Sequence, residues 1–249
     1  MVQKTKENLQ VTHIRQSFLK HTEHCLQLTK FSPCFELFER YPSGIRPFFG
    51  QIQTKGGKGN LWKFPNNRRV DPAEVTVPKD YPDDDVFRSI VAQHYDTIRL
   101  EDDGVGKILD GLERAGILDK TIIVFTSENG PWLEMGEEGG TAGILRGGKG
   151  STWEGGIRVP TVIWGPGYIK PGVVDDIGTS MDLFSTFSFL ADVEIPNDRI
   201  IDGNNLSHVF KSLSKSPTEN FFYYWGAELM AVRYKSYKLH LKLHEAYDG

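Results

Sequence analysis

The sequence predicts an α/β protein: a mixed, mostly parallel sheet flanked by helices, followed by a small antiparallel sheet near the C-terminal end. Three observations carry that prediction. Val91, Tyr95, Ile98, Val105, Ile108, Leu109 and Leu112 recur at three- and four-residue spacing, which is one face of a long helix. A few residues later the chain reads "TIIVF" (Thr121 to Phe125), a β-branched apolar run suited to a buried strand. Helix, tight turn and buried strand form the second half of a βαβ unit, and such units build parallel sheets covered by helices. Finally, "NFFYYWGAELMAVRYKSYKLHLKL" is aromatic and alternating, without a helical pattern, and predicts a hairpin or small antiparallel sheet.

Taken in order, residues 1–45 form an N-terminal extension. Val11, Ile14, Phe18 and Leu19 suggest a short amphipathic helix. The segment also holds His13, His21, His24, Cys25 and Cys34, but no CxxC or HxxxH spacing marks a zinc site. "RPFFGQIQ" (Arg46 to Gln53) reads as a strand. "TKGGKGN" after it is a flexible basic loop, either solvated or facing an anion. The Pro- and Asp-rich stretch from Phe64 to Asp85 predicts an extended surface connection.

Within the long helix, Gly104, Gly106 and Gly111 weaken helical propensity and suggest close packing against a neighbour. Gly116 is placed to be its left-handed C-terminal cap. Asp102 and Asp103 read as a solvated helix face. "VPTVIWG" (Val159 to Gly165) is a second strand. "TSMDLFSTFSFLADV" is a helix in which Thr179 caps and Asp182 bonds back three residues on. His208, His240 and His244 match no ligand spacing, and Asn205-Leu206-Ser207 is a glycosylation acceptor pattern, relevant if the protein is exported.

Composition narrows the function classes. The chain has 249 residues, 39% of them hydrophobic and 25% charged, enough to bury a real core. A net charge of -4 gives no electrostatic case for nucleic acid or an anionic membrane surface. No run approaches the roughly 18 apolar residues of a membrane span, and "MVQKTKENLQVTHIRQ" lacks the apolar block of a signal peptide.

The chemistry concentrates around "TSENGPW" (Thr126 to Trp132). Ligands in open parallel sheets sit at the carboxyl ends of strands, and this string ends "TIIVF". Glu128 and Asn129 put an anionic oxygen beside a neutral carbonyl oxygen, the donor type preferred by Ca²⁺ or Mg²⁺. The same residues also serve as ordinary turn formers, and two ligands are fewer than such ions take. "GGTAGILRGGKGSTWEGGIRVP" (Gly139 to Pro160) is rich in glycine, so its backbone can approach a neighbour or ligand closely. Arg146 and Lys149 within it are candidate anion contacts, Lys149 as a point charge for a sulfate- or phosphate-like group. The pattern is not a P-loop.

These strings resemble the sulfatases, in particular arylsulfatases and the N-acetylgalactosamine-6-sulfatase group. The resemblance runs from about Arg46 to about Leu241, through "LERAGILDKTIIVFTSENGPW", "GILRGGKGSTWEGGIRVPTVIWGPGYIKPG" and "FFYYWGAELMAVRYKSYKLHL". It implies an alkaline-phosphatase-like α/β fold and hydrolysis of sulfate esters, arylsulfate or sulfated sugar. Residues 46–200 would be part of the catalytic domain and 201–249 the start of an antiparallel subdomain.

The resemblance further implies one Ca²⁺ or similar divalent ion, with Glu128 and Asn129 in the place of the family's Asp-Asn ligand pair, and Lys149 contacting the sulfate. Lys55 and Lys58 stand where relatives carry a catalytic histidine. Lys58 is thus an expected second sulfate contact, but a poor proton donor unless its pKa is lowered. The family's formylglycine nucleophile arises from a "CxPSR" motif that is not in this sequence, and its N-terminal aspartate pair is missing too. The expectation is therefore an incomplete catalytic domain, the alternative being a non-catalytic sulfatase-like protein that binds sulfated glycans or a partner. Members of the family are usually secreted, lysosomal or periplasmic.

Overall fold

The structure, a computed structural model, describes residues 25–28, 49–52 and 64–243. The expected N-terminal helix, Cys34, His13, His21, His24, His244, and the loop lysines Lys55 and Lys58 lie outside the described residues.

Strand β1 (Cys25–Leu28) pairs in parallel with β2 (Phe49–Ile52). Parallel neighbours need a crossover of about a dozen residues or more, which the separation of these strands allows. The connection from Phe64 to Asp84, expected to be extended, is interrupted by two short 3-10 turns, Asn66–Arg68 and Pro72–Glu74, and buries Phe64 and Val75. It is held on the following helix by Val70 N–H donating to Asp96 Oδ1 at 2.9 Å and by the Arg68–Asp103 pair at 2.7 Å.

Helix α1 (Asp85–Arg114) begins where the Asp84 carboxylate accepts from Val86 N–H and Phe87 N–H, both at 3.0 Å. It ends in a Schellman turn: Gly116 sits at φ +67°, Gly116 N–H donates to Glu113 O, and Ile117 N–H to Leu112 O. The expected apolar face holds in the C-terminal half, where Val105, Ile108 and Leu112 are buried beside Gly104 and Gly111. In the N-terminal half it does not: Tyr95 and Ile98 are exposed, and Ala92, Asp96 and Thr97 are buried instead. The reason is the connecting segment 64–75, which covers a polar face through Asp96. Asp103 is likewise engaged in an ion pair rather than only solvated.

Strand β3 (Ile123–Thr126) pairs antiparallel with β4 (Thr161–Trp164). The βαβ reading of the sequence expects a parallel neighbour for this strand; the pairing found is antiparallel, and an apolar run reads alike in either direction. Ile123 packs with Ile108 and Leu112 of α1, and Ile52 of β2 lies against the same cluster. Val124 and its partner Ile163 point the other way. Ile163 meets Val209 and Phe210 of α4 (Ser207–Ser212). The sheet is therefore covered by helices on both faces, which is why "TIIVF" carries no polar alternation.

Between β3 and β4 lies the one-turn helix α2 (Glu154–Ile157), and after β4 comes α3 (Ser180–Leu190). The α3 cap matches its expectation: Thr179 N–H donates to Asp182 Oδ2 at 2.7 Å, and Asp182 N–H to Thr179 Oγ1 at 3.3 Å. Asp182 is buried at 1% exposure, with Oδ1 accepting from Asn204 N–H at 2.7 Å and Thr218 Oγ1 at 3.1 Å.

The small C-terminal antiparallel sheet is present as expected, with β5 (Asn220–Trp225), β6 (Glu228–Tyr234) and β7 (Tyr237–His240) in sequence order. Register sets Phe221 opposite Arg233 and Arg233 opposite Lys238, so these share one face with Tyr223, Ala231 and His240. That inner face meets the glycine-rich loop. Phe222 and Leu239 lie on the outer face and stay exposed.

Candidate functional site

At the end of β3 the chain leaves the sheet through Ser127, Glu128, Asn129 and Gly130. Thr126, the last strand residue, is buried and its hydroxyl lies 2.9 Å from that of Thr161. The turn out of the strand is held by main chain: Gly130 N–H donates to Gly156 O at 2.9 Å, and Lys149 N–H to Pro131 O at 2.7 Å. The strand end and the glycine-rich loop are thus laced together along their backbones.

That contact is why glycine is needed here. A Cβ on Gly130 would stand 1.6 Å from Gly155 O, and one on Gly155 would stand 2.1 Å from Gly147 O. Both obstacles are backbone atoms, which cannot swing aside. The sequence reading that the loop backbone approaches something closely is correct, and the something is the β3 exit.

Lacing the two segments brings the predicted residues together. Lys149 Nζ lies 4.0 Å from Glu128 Oε1 and 5.2 Å from the centre of the Trp132 ring. The side chains are 33% and 55% exposed. A pair so open to water contributes only about 0–1 kcal/mol, so Lys149 is not committed to Glu128 and can exchange it for an anion. The Asn129 amide nitrogen donates to Gly130 O at 2.8 Å, which leaves the side-chain oxygen as the atom to face a cation. Glu128 and Asn129 suit a hard cation in kind but not in number, being two oxygen donors where Ca²⁺ takes about six to eight. Among the described residues no group of three or more His, Cys, Asp and Glu could hold a metal ion. Lys58 lies outside the described residues.

A second set of groups, which sequence reasoning missed, sits behind the loop. Glu154 accepts from Tyr223 Oη at 2.5 Å, from Arg233 Nη1 at 2.7 Å and from Lys238 Nζ at 3.1 Å. Lys238 also donates to Thr152 O at 2.6 Å. Burial pushes the Glu154 carboxyl up, but the Tyr223 and Lys238 hydrogen bonds and the charges of Lys238 and Arg233 outweigh it and hold Glu154 below the usual carboxylate value. Tyr223 is raised, first by burial and then by its bond to Glu154. Lys238 is lowered, because burial outweighs the attraction of Glu154.

Beside this node, the Trp153 ring contacts the Arg146 guanidinium at 3.9 Å and the His240 ring, tilted by 37°, at 4.0 Å. His240 is held below its ordinary value by partial burial and then by Lys238 and Arg146. It has a packing role, as its lack of ligand spacing suggested. The signals for this set were an acid inside a glycine-rich run and the period-two face of the C-terminal strands.

Comparison with known proteins agrees with the motifs. A model of the sulfatase family matches residues 21–193. The chain belongs to the sulfatase family. An arylsulfatase of Hemicentrotus pulcherrimus is 47% identical over 140 residues, covering 56% of this chain and 25% of the relative. The N-acetylgalactosamine-6-sulfatase of Mus musculus is 42% identical over 155 residues, covering 61% of this chain and 30% of the relative. This sulfatase chain therefore spans about a quarter to a third of the length of those relatives. Its fold is similar to the crystal structure of the PsFucS1 sulfatase from Pseudoalteromonas sp., with a TM-score of 0.61 at 27% identity over 79% of this chain and 36% of that one. The α/β architecture expected from the sequence is the sulfatase fold.

Proposed function

We propose that this chain forms part of a sulfate-ester hydrolase site, in which Lys149 holds the sulfate group and Glu128 and Asn129 supply two oxygen ligands to a divalent cation, Ca²⁺ or a similar ion. The observation that carries the reading is the meeting of Lys149 Nζ with Glu128 Oε1 at 4.0 Å, at the end of β3, in a chain of the sulfatase family. A cation bound there would neutralise charge on the ester oxygens. The role of this chain's own residues is to orient: the backbone bonds from Gly130 to Gly156 and from Lys149 to Pro131 hold the main chain of the loop against the β3 exit, so that both side chains start from neighbouring positions. Lys149 then offers a charged donor to an anionic oxygen, a contact of the strong kind.

The substrate class is an arylsulfate or a sulfated sugar, following the arylsulfatase and N-acetylgalactosamine-6-sulfatase relatives. Lys58, the second expected sulfate contact, belongs to the same proposal. The "CxPSR" string is not among these 249 residues, so the chain is proposed as an incomplete catalytic domain, the alternative being a non-catalytic sulfatase-like protein that binds sulfated glycans or a partner. The charge of -4 gives no reason to expect nucleic acid as a partner. No helix among the described residues is long and apolar enough to cross a membrane.

Calorimetric titration with inorganic sulfate, in the presence and absence of Ca²⁺, tests the reading. Sulfate affinity is expected to fall at least about tenfold in Lys149→Ala, the loss of one charge-assisted contact. Equal affinity in the two proteins would remove Lys149 from the site. Brisk turnover of an arylsulfate by the chain alone would refute incompleteness.

A further inference from the structure

We infer that Glu154 is a positioning residue for the sulfate-facing loop, and that the C-terminal sheet sets the aim of Lys149 through it. Glu154 begins α2, five residues after Lys149, and both its oxygens are taken by groups from a different part of the chain. Tyr223 reaches it from β5, Arg233 from β6 and Lys238 from β7, so each strand of the sheet contributes one donor. The Glu154 side chain is only 24% exposed and that of Lys238 only 13%, so these bonds are shielded from water and worth more than surface pairs.

The connection to Lys149 is through backbone. Residues flanking Glu154 are bound on both sides: Thr152 O accepts from Lys238, and Gly155 N–H donates to Arg146 O at 2.8 Å. Gly156 O accepts from Gly130 N–H, and Lys149 N–H reaches Pro131 O. The loop's own bonds, Gly155 N–H to Arg146 O and Ser151 N–H to Gly148 O at 3.0 Å, join loop residues to one another and do not tie them to the C-terminal sheet. The loop's glycines permit the close approach, and for the same reason they give the loop many alternative conformations. Glu154 favours the placement seen here, in which its two carboxylate oxygens accept from three strands at once. The sheet therefore acts on sulfate binding without touching sulfate.

The test compares the full chain with Glu154→Gln and, from the opposite side, Lys238→Met, using hydrogen exchange of the loop peptides over residues 142–156. Exchange there is expected to accelerate by about tenfold in both variants, with α1 peptides unchanged, since local opening is governed by local contacts. Lys238 is 84 positions away from Glu154, so a matching effect from it cannot be a local sequence effect. Unchanged loop exchange in both variants overturns the inference, as does acceleration spread equally over loop and α1, which marks general destabilisation. The inference concerns the same site as the proposed function, and a second readout links them: inorganic sulfate should bind both variants about tenfold more weakly. A wild-type chain that binds no sulfate would refute the sulfate role of Lys149, whereas the exchange data decide the role of Glu154 on their own.

Discussion

Single atoms decide two positions in this protein. Gly130 has no room for a methyl group: its Cβ would lie 1.6 Å from the Gly155 carbonyl oxygen, and neither backbone can move without breaking the bonds that close the site. Gly130→Ala is expected to cost about 3 kcal/mol, the upper range for forced overpacking, read as a lower urea midpoint with an unchanged slope. Asp182 is the other case. Its two oxygens accept from Thr179 N–H, Asn204 N–H and the Thr218 hydroxyl, all donors, at 1% exposure. Asn offers one acceptor and one donor, so Asp182→Asn turns a hydrogen bond into a donor–donor clash. A loss of about 2–3 kcal/mol is expected in the same measurement. Neither substitution is conservative here.

Helix ends carry the signal at the level of the element. Asp84, Gly116 and the Thr179–Asp182 box were or could be read directly from the sequence, because a cap involves residues no more than about four apart. Asp84→Ala removes the acceptor for Val86 N–H and Phe87 N–H and should cost about 1 kcal/mol, lowering the melting temperature by about 2–4 °C for a chain of this size. Where the element reading failed, the cause lay outside the element. The N-terminal half of α1 exposes Tyr95 and Ile98 and buries Asp96, because Val70 N–H from the preceding connection donates to that carboxylate at 2.9 Å. Periodicity alone weighs only side chains on the helix and cannot see a covering segment from elsewhere in the chain.

Across the whole molecule, the C-terminal sheet and the glycine-rich loop meet at Glu154. Its carboxyl is held below the usual value of 4.5, so the ionised form is favoured by folding. Such a group contributes stability that is present above the unfolded value and is lost as pH falls through the lowered folded value. Urea denaturation followed from neutral pH down through 4.5 and below should show that acid loss in the wild type, and a smaller one in Glu154→Gln. An identical acid slope in both proteins would mean that the network does not favour the ionised form. Of the proposed site, Glu128, Asn129 and Lys149 could be singled out in the sequence because their chemistry is unusual for their setting: an acid and amide ending an apolar strand, and a lysine among glycines. Glu154 stood in the same string but its purpose did not, since its partners lie 69, 79 and 84 residues further along the chain.

The amino-acid sequence by itself determined the α/β class, the long helix with its caps, the buried strand, the antiparallel C-terminal sheet and the family motifs, because period, capping and turn chemistry act between near neighbours. Tertiary structure alone decided the antiparallel sense of β3 and β4, the shift of the buried face of α1, and the three-strand grip on Glu154. Alternation along a strand assigns a side chain to one face or the other. What that face meets depends on how distant segments close on each other, and that is settled by steric fit such as Gly130 on Gly155 and by the pairing of buried charge.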